Sequence, residues 1–243
     1  MISNFFLKLF LIFTEIIDYK NKSKVIKYLK NKLKKTNLVI FDIGAHKGET
    51  IDLFLKNFHL KKIYSFEPNT LLFKLLEKKY LKRKSIIEVY NLGIGENKKS
   101  MFLNIMTDTS SSTFNEINKK SAYFLRKEKI FKYFSKKKNL FEKKQNITVE
   151  TLSNFLNEKK ITNIDLLKID TEGFEYNVLK GLSEQDFKMI NFIYFEHHFD
   201  LMIKKNYKYS DIDQLLKRHN FFLSLKIKMN CRKSFEYIYE KKS

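Results

Sequence analysis

Four times along this chain a short run of β-branched and aromatic residues ends on a carboxylate: "VIFD" at Asp42, "KIYSFE" at Glu67, "IDLLKID" at Asp170 and "INFIYFE" at Glu196. Runs of this length suit strands covered on both faces, and amphipathic stretches separate them, so the pattern calls for parallel βα units in an open α/β sheet. In such a sheet the C-terminal ends of the strands share one edge, and ligands bind in the crevice outside it. The four acids are therefore expected to converge. Taken singly, each could equally be a helix cap or a solvated turn residue.

The rest of the chain fits this frame. A lysine-rich helix is expected near residues 22 to 35, strand one at 38 to 43, and a helix from about 48 to 58. Pro68 and Asn69 mark a turn and a helix N-cap after strand two. Strand three, "IIEVYNL", leads through "GIGENKKSMFLNI" into a further strand. After "ITVETLSNFLNEKK", a short strand and a helix, come strand four and the helix "FEYNVLKGL". Strand five and a helix near 210 to 219 follow, and the C-terminal "FFLSLKIKMNCRKSFEYIYEKK" reads as an antiparallel hairpin closing a seven-stranded sheet. Residues 107 to 146 break the rhythm; they are basic and aromatic without a strand pattern, and are expected to form a helical insertion that covers the site as a lid. The domain is placed at 38–243, behind a helical extension at 1–37.

At 243 residues the chain can bury one large core. Its single cysteine, Cys231, permits no internal disulfide and no cysteine metal cluster, which fits a reducing, cytoplasmic setting. The formal charge of +21 raises nucleic acid or anionic membrane as partners. Lysine far outnumbers arginine along the whole chain, however, so a solvated lysine-covered surface is the favoured reading. The opening "MISNFFLKLFLIFTEII" is too short and interrupted to span a bilayer, which takes about 20 apolar residues. Phe6, Leu9, Phe10, Phe13 and Ile17 fall at helical spacing. An amphipathic helix docked on the domain is expected, with peripheral membrane contact as the alternative.

The loop from Gly44 to Gly48 has the spacing G-x-x-x-G and departs from the G-x-G-x-x-G that brings backbone against a pyrophosphate. A glycine turn opening a helix can still offer N–H groups to a smaller anion such as a carboxylate. Glu67 lies 25 positions after Asp42, at the end of the next strand, where a carboxylate can accept both hydroxyls of a ribose. A ligand with a carboxylate at one end and an unphosphorylated ribose at the other fits S-adenosylmethionine.

The blocks "FDIGAHKGE", "FEPN", "NLGIGENKKSMFLNI" with "SSST", "IDLLKIDTEGFEYNVLKGL" and "IYFEHH" resemble, in order and spacing, the FkbM-type S-adenosylmethionine-dependent methyltransferases. The resemblance runs from about Leu38 to His198. It implies a class I methyltransferase fold, Rossmann-like, with a seven-stranded mostly parallel sheet, an antiparallel last strand and helices on both faces. It also implies O-methylation of a hydroxyl on a sugar, glycolipid or related natural product. Carried across, Asp42, Gly44, Ala45 and Gly48 match the first cofactor loop, Glu67 the ribose acid, and Asn91 with Gly93 the segment near the adenine. Asp170, Glu172, Gly173 and Glu175 match the strand-four motif on the acceptor side, and Glu196 with His197 the fifth-strand acid and its neighbour. In "TVETLSNFL" Ser153 stands where the family usually has an acid.

Methyl transfer to an alcohol needs a proton acceptor, and Asp170, Glu172 and His197 are the candidates for that base. Asp170, Glu172, Glu196 and His197 could instead gather a divalent ion, which is the less favoured reading. His46, His59, His198 and His219 are read as surface or packing residues. Two other classes stay open: a nicotinamide-dependent oxidoreductase on the same sheet, and a non-catalytic protein that binds cofactor, nucleic acid or membrane.

Overall fold

The computed structural model describes residues 21–107, 112–134, 141–229 and 233–242. The expected amphipathic helix within residues 1–17, and Cys231 in the hairpin connection, lie outside them. Residues 21–32 are helical (α1). The chain continues through β1 (Leu38–Ile43), α2 (Glu49–Asn57), β2 (Leu60–Phe66), α3 (Thr70–Lys79), β3 (Ile87–Tyr90), β4 (Gly93–Ile94) and β5 (Lys99–Met106). Then come α4 (Ala122–Phe134), β6 (Phe141–Glu150), α5 (Leu152–Lys159), β7 (Ile164–Ile169), α6 (Glu175–Lys180) and α7 (Glu184–Met189). β8 (Ile190–His198), α8 (Tyr209–Arg218), β9 (Phe221–Lys228) and β10 (Ser234–Lys241) complete it.

Seven strands form the main sheet in the order β3-β2-β1-β7-β8-β10-β9. β1 pairs in parallel with β2 and β7, and β8 in parallel with β7, whereas β10 is antiparallel to both β8 and β9. The class I arrangement and the C-terminal hairpin are thus as expected, with the last strand inserted one place inside the edge. β1 is central because it buries both faces. Phe41 and Ile43 enter one core cluster with residues of α5, α6, α7 and α8, and Leu38 and Ile40 enter the other with residues of α1, α2 and α3. Helices therefore cover both faces of the sheet. Through Val25, Ile26 and Leu29, α1 belongs to the second of these cores.

The region after β3 differs from its sequence reading. β4, β5 and β6 make a separate three-stranded sheet, ordered β4-β6-β5. α4 is helical as expected, but β6 begins at Phe141, so the end of the supposed helical insertion is a ten-residue strand antiparallel to β5. Its register carries the reason: Leu103, Ile105 and Ile147 pack together on one face of the two strands. The signal was masked by the alternating polar residues Lys144, Asn146 and Thr148 on the other. Among the described residues no helix is long and apolar enough to cross a membrane.

Candidate active site

The C-terminal ends of β1, β2 and β7 meet at one cleft, lined by Gly44, His46, Glu67, Asp170, Thr171 and Glu172 on the polar side. Ile43, Phe66, Leu92, Ile94, Leu103 and Phe114 supply its apolar walls. Its free volume is about 60 Å³.

Below the cleft lies a buried ion pair. Asp42, fully buried in β1, faces Lys168 of β7, whose Nζ is 3.0 Å from its Oδ1. The same ammonium donates to the Gly44 carbonyl at 3.2 Å and lies 3.6 Å from Asp170 Oδ2. Burial opposes the charge on Lys168, but the carboxylates of Asp42 and Asp170 outweigh it and raise its pKa above the ordinary lysine value. Asp42 is thus a fastening between strands and does not line the cleft.

The glycine loop is tied down by its own N–H groups. Gly44 and Ala45 donate to the Phe66 carbonyl at 2.9 and 3.1 Å, His46 to Glu67 Oε2 at 2.7 Å, Lys47 to Glu49 Oε2 at 3.2 Å, and Gly48 to the Ala45 carbonyl at 2.8 Å. Each of these N–H groups has a protein acceptor in the structure. The glycines answer to close packing. Gly44 sits at φ +86°, and a Cβ there would be 1.9 Å from the Asp170 carbonyl oxygen; Gly48, at φ +83°, has the Tyr80 hydroxyl where a Cβ would be.

Glu67 is held by two backbone donors, His46 N and Asn69 N, at 2.7 and 2.8 Å. Burial pushes its pKa up to about 7 despite those donors. Asn69 N-caps α3, as its position after Pro68 suggested. Asn91 clamps the turn below: its Nδ2 donates to the carbonyls of Glu67 and Pro68, both at 2.9 Å, and its Oδ1 accepts from Thr70 Oγ1. Gly93 lines the cleft, and a Cβ there would press on the Phe114 ring at 2.6 Å.

On the β7 side, Asp170 and Glu172 both reach the cleft. Glu175, fully buried, organises the turn between them by accepting from Gly173 N at 2.8 Å, Thr171 Oγ1 at 3.2 Å and Tyr207 Oη at 2.5 Å. A strap formed by Thr113 and Asn115 closes over the turn: Thr113 Oγ1 donates to the Glu172 carbonyl at 2.8 Å and Asn115 Nδ2 to the Gly173 carbonyl at 2.5 Å.

The two histidines of β8 part company. Glu196 and His198 share one strand face and His197 takes the other. His198 Nε2 lies 3.5 Å from carboxylate oxygens of both Glu172 and Glu196, and its Nδ1 is 3.6 Å from Asp200 Oδ2. Although burial works against its charge, the carboxylate of Glu172, with Asp200 and Glu196, pushes its pKa up to about 10. His197 sits among the rings of Phe199, Tyr207 and Tyr209 and does not line the cleft. Burial, with Lys205 nearby, pushes its pKa down to about 3. The sequence pattern assigns Lys168 no role and points to His198 as a surface or packing residue, whereas both are buried beside carboxylates. The first was signalled by a lysine inside a continuously apolar strand, the second by two-residue periodicity from Glu196. Glu196 itself accepts from Ser234 Oγ at 2.6 Å, so these acids are spent on one another's neighbours. Among the described residues no group of three or more His, Cys, Asp or Glu side chains is arranged to hold a metal ion.

The family model for the methyltransferase FkbM domain matches residues 42–223. A methyltransferase FkbM from Methylobacillus flagellatus KT is similar in fold, with a TM-score of 0.50 and 16% identity, over 84% of this chain and 44% of that one. The chain thus spans less than half the length of that protein. Magnesium protoporphyrin IX methyltransferase from Synechocystis PCC 6803, solved with bound SAH, gives a TM-score of 0.52 at 8% identity, over 93% of this chain and 84% of that one. No match was found among curated proteins.

Proposed function

The chain belongs to the FkbM methyltransferase family, and from that premise we propose that it transfers the methyl group of S-adenosylmethionine to a hydroxyl oxygen of a sugar, glycolipid or related acceptor. The observation that carries this reading is the sharing of one cleft by Glu67, at the end of β2, and Asp170, at the end of β7. Glu67 supplies the carboxylate that two vicinal ribose hydroxyls need. Phe66, Leu92, Ile94 and Leu103 supply apolar walls for a base, and the acids of the β7 turn stand on the acceptor side. When bound, the cofactor offers an electrophilic methyl on a sulfonium. Ligand sites usually enclose about 300–1,000 Å³, so the cleft walls, Thr113 and Phe114 among them, open further to admit a nucleoside.

What remains for the protein is to align the acceptor oxygen with that methyl and to take its proton. Of the three expected bases, Asp170 is the best placed. Its side chain is 37% exposed against 12% for Glu172. Glu172 is also committed to His198, and His197 is walled off by aromatic rings. Lys168 fixes Asp170 from beneath, and the Asp170 carboxylate is the group that would take the hydroxyl proton as the acceptor oxygen receives the methyl and the sulfonium C–S bond breaks. Glu172, locked by His198 and the strap, positions the turn.

The test is transfer of isotopically labelled methyl to a panel of hydroxyl-bearing saccharides, with Asp170→Asn beside the wild type. Turnover in the variant should fall about 10²–10⁴-fold while cofactor affinity stays nearly unchanged. Unaltered turnover would remove Asp170 as the base. Cofactor binding without transfer to any hydroxyl would overturn the acceptor class.

A further inference from the structure

A second cavity, of about 770 Å³, opens beside the cleft. Strand β5 and the residues that follow it form their common wall. Leu103 of β5 lines the cleft, while its neighbours Phe102 and Asn104 line the larger cavity, and Phe114 belongs to both walls. The volume falls within the range of small-molecule sites, about 300–1,000 Å³.

The lining of this cavity is strongly one-signed. Lys119, Lys120, Lys144 and Lys204 contribute four ammonium groups against one carboxylate, Glu116, which pairs with Lys204 at 2.7 Å. Among the described residues no carboxylate stands within ion-pair distance of Lys120 or Lys144. Lys144 sits opposite Asn104 in the β5–β6 register, so its side chain shares the outer sheet face with Phe102. Phe102 is 61% exposed, an aromatic face with nothing packed over much of it. Ammonium groups, an amide and an exposed ring are together the means of holding a sugar that carries negative charge: ion pairs for the anion, hydrogen bonds for hydroxyls and apolar contact for the ring face.

We propose that this cavity seats the anionic part of the acceptor, a small saccharide bearing carboxylate or phosphate groups, with Lys120 and Lys144 as the cations that recognise it and Phe102 as its platform. Calling the ligand the acceptor rests on the methyltransferase reading; the anion site itself does not. Neutral saccharides of the same size lack the partner for the two ammonium groups and are discriminated against. Strap and cavity are joined through Asn104, whose backbone exchanges hydrogen bonds with Thr113 and whose Nδ2 donates to the Asn115 carbonyl at 2.8 Å. Filling the cavity therefore acts on the same segment that covers Glu172.

The experiment is calorimetric titration of the full chain with trigalacturonate, glucose 6-phosphate and neutral maltotriose, repeated on Lys120→Glu/Lys144→Glu. A control, Lys56→Glu/Lys82→Glu, reverses the same charge on exposed residues that do not line the cavity. The expected result is binding of one or both anionic sugars, absent for maltotriose, weakened on the order of tenfold or more by the cavity variant and by added salt, and unchanged in the control. Equal binding of maltotriose, no binding of either anionic sugar, or indifference to the cavity variant would overturn the proposal. So would capture of a single-stranded oligonucleotide or of anionic vesicles through Lys120 and Lys144 in place of the sugars. SAH is titrated into the same samples: sugar binding without SAH binding would sink the methyltransferase reading and leave the anion site standing, and the converse would do the reverse.

Discussion

Lys168 Nζ lies 3.0 Å from Asp42 Oδ1 in the middle of the main sheet, and both side chains are all but sealed from water. Among the described residues this ammonium is the one cationic partner of the Asp42 carboxylate, and it also holds the Gly44 carbonyl and Asp170. Lys168→Met strands a buried carboxylate, so it should cost about 3–5 kcal/mol. The pair Asp42→Asn/Lys168→Met should cost much less than the sum of the two single changes. Denaturant unfolding of all three variants measures this; additive losses would mean that the two groups are not coupled.

Gly44→Ala tests the close approach of β1 and β7. The added methyl meets a backbone oxygen, which cannot step aside as the tip of a side chain could, at a residue already in the left-handed region. Destabilisation of at least about 1–3 kcal/mol is expected, together with loss of cofactor binding as the Asp170 end of the cleft is displaced. A variant of normal stability and affinity would show that the loop relaxes freely.

His197 and His198 are adjacent in sequence and differ in charge, the first neutral and the second protonated. In an imidazole NMR titration His198 should stay protonated past pH 8, with its midpoint near 10, while His197 should stay neutral down to about pH 3. The linked stabilities have opposite signs. The contribution of His198 is fully present below the unfolded-state pKa of about 6.5 and is lost as pH rises through about 10. That of His197 is present above about 6.5 and is lost as pH falls from there toward 3. Coincident midpoints would contradict the two environments.

Much of this was legible in the chain. The ends of β1, β2 and β7 beside Asp42, Glu67 and Asp170, the N-cap at Asn69 and the C-terminal hairpin followed from local pattern, because short apolar runs and turn residues carry that information themselves, whereas β8 runs past the expected end at Glu196 to His198. Convergence of Glu67 with Asp170 followed from parallel topology. What local pattern could not say is how each acid is spent. Asp42 is consumed by a lysine 126 positions away, and Gly44 and Gly48 leave room for the Asp170 carbonyl and the Tyr80 side chain. The choice between His197 and His198 was decidable from strand alternation. The end of β6 reads as a short strand, but its first part, residues 141–146, escaped because its buried face holds few apolar residues and its partner strand stands across a long connection.

The most direct measurement is calorimetric titration of SAH into the full chain and into Glu67→Gln at pH 6, 7 and 8. Burial pushes Glu67 up to about pH 7, and only the ionised carboxylate accepts from both ribose hydroxyls. The affinity of the wild type should therefore rise as pH passes through 7. Glu67→Gln should bind on the order of tenfold or more weakly, with that pH dependence gone. Absence of SAH binding at every pH, or equal affinity in Glu67→Gln, would contradict the assignment of this cleft to the cofactor.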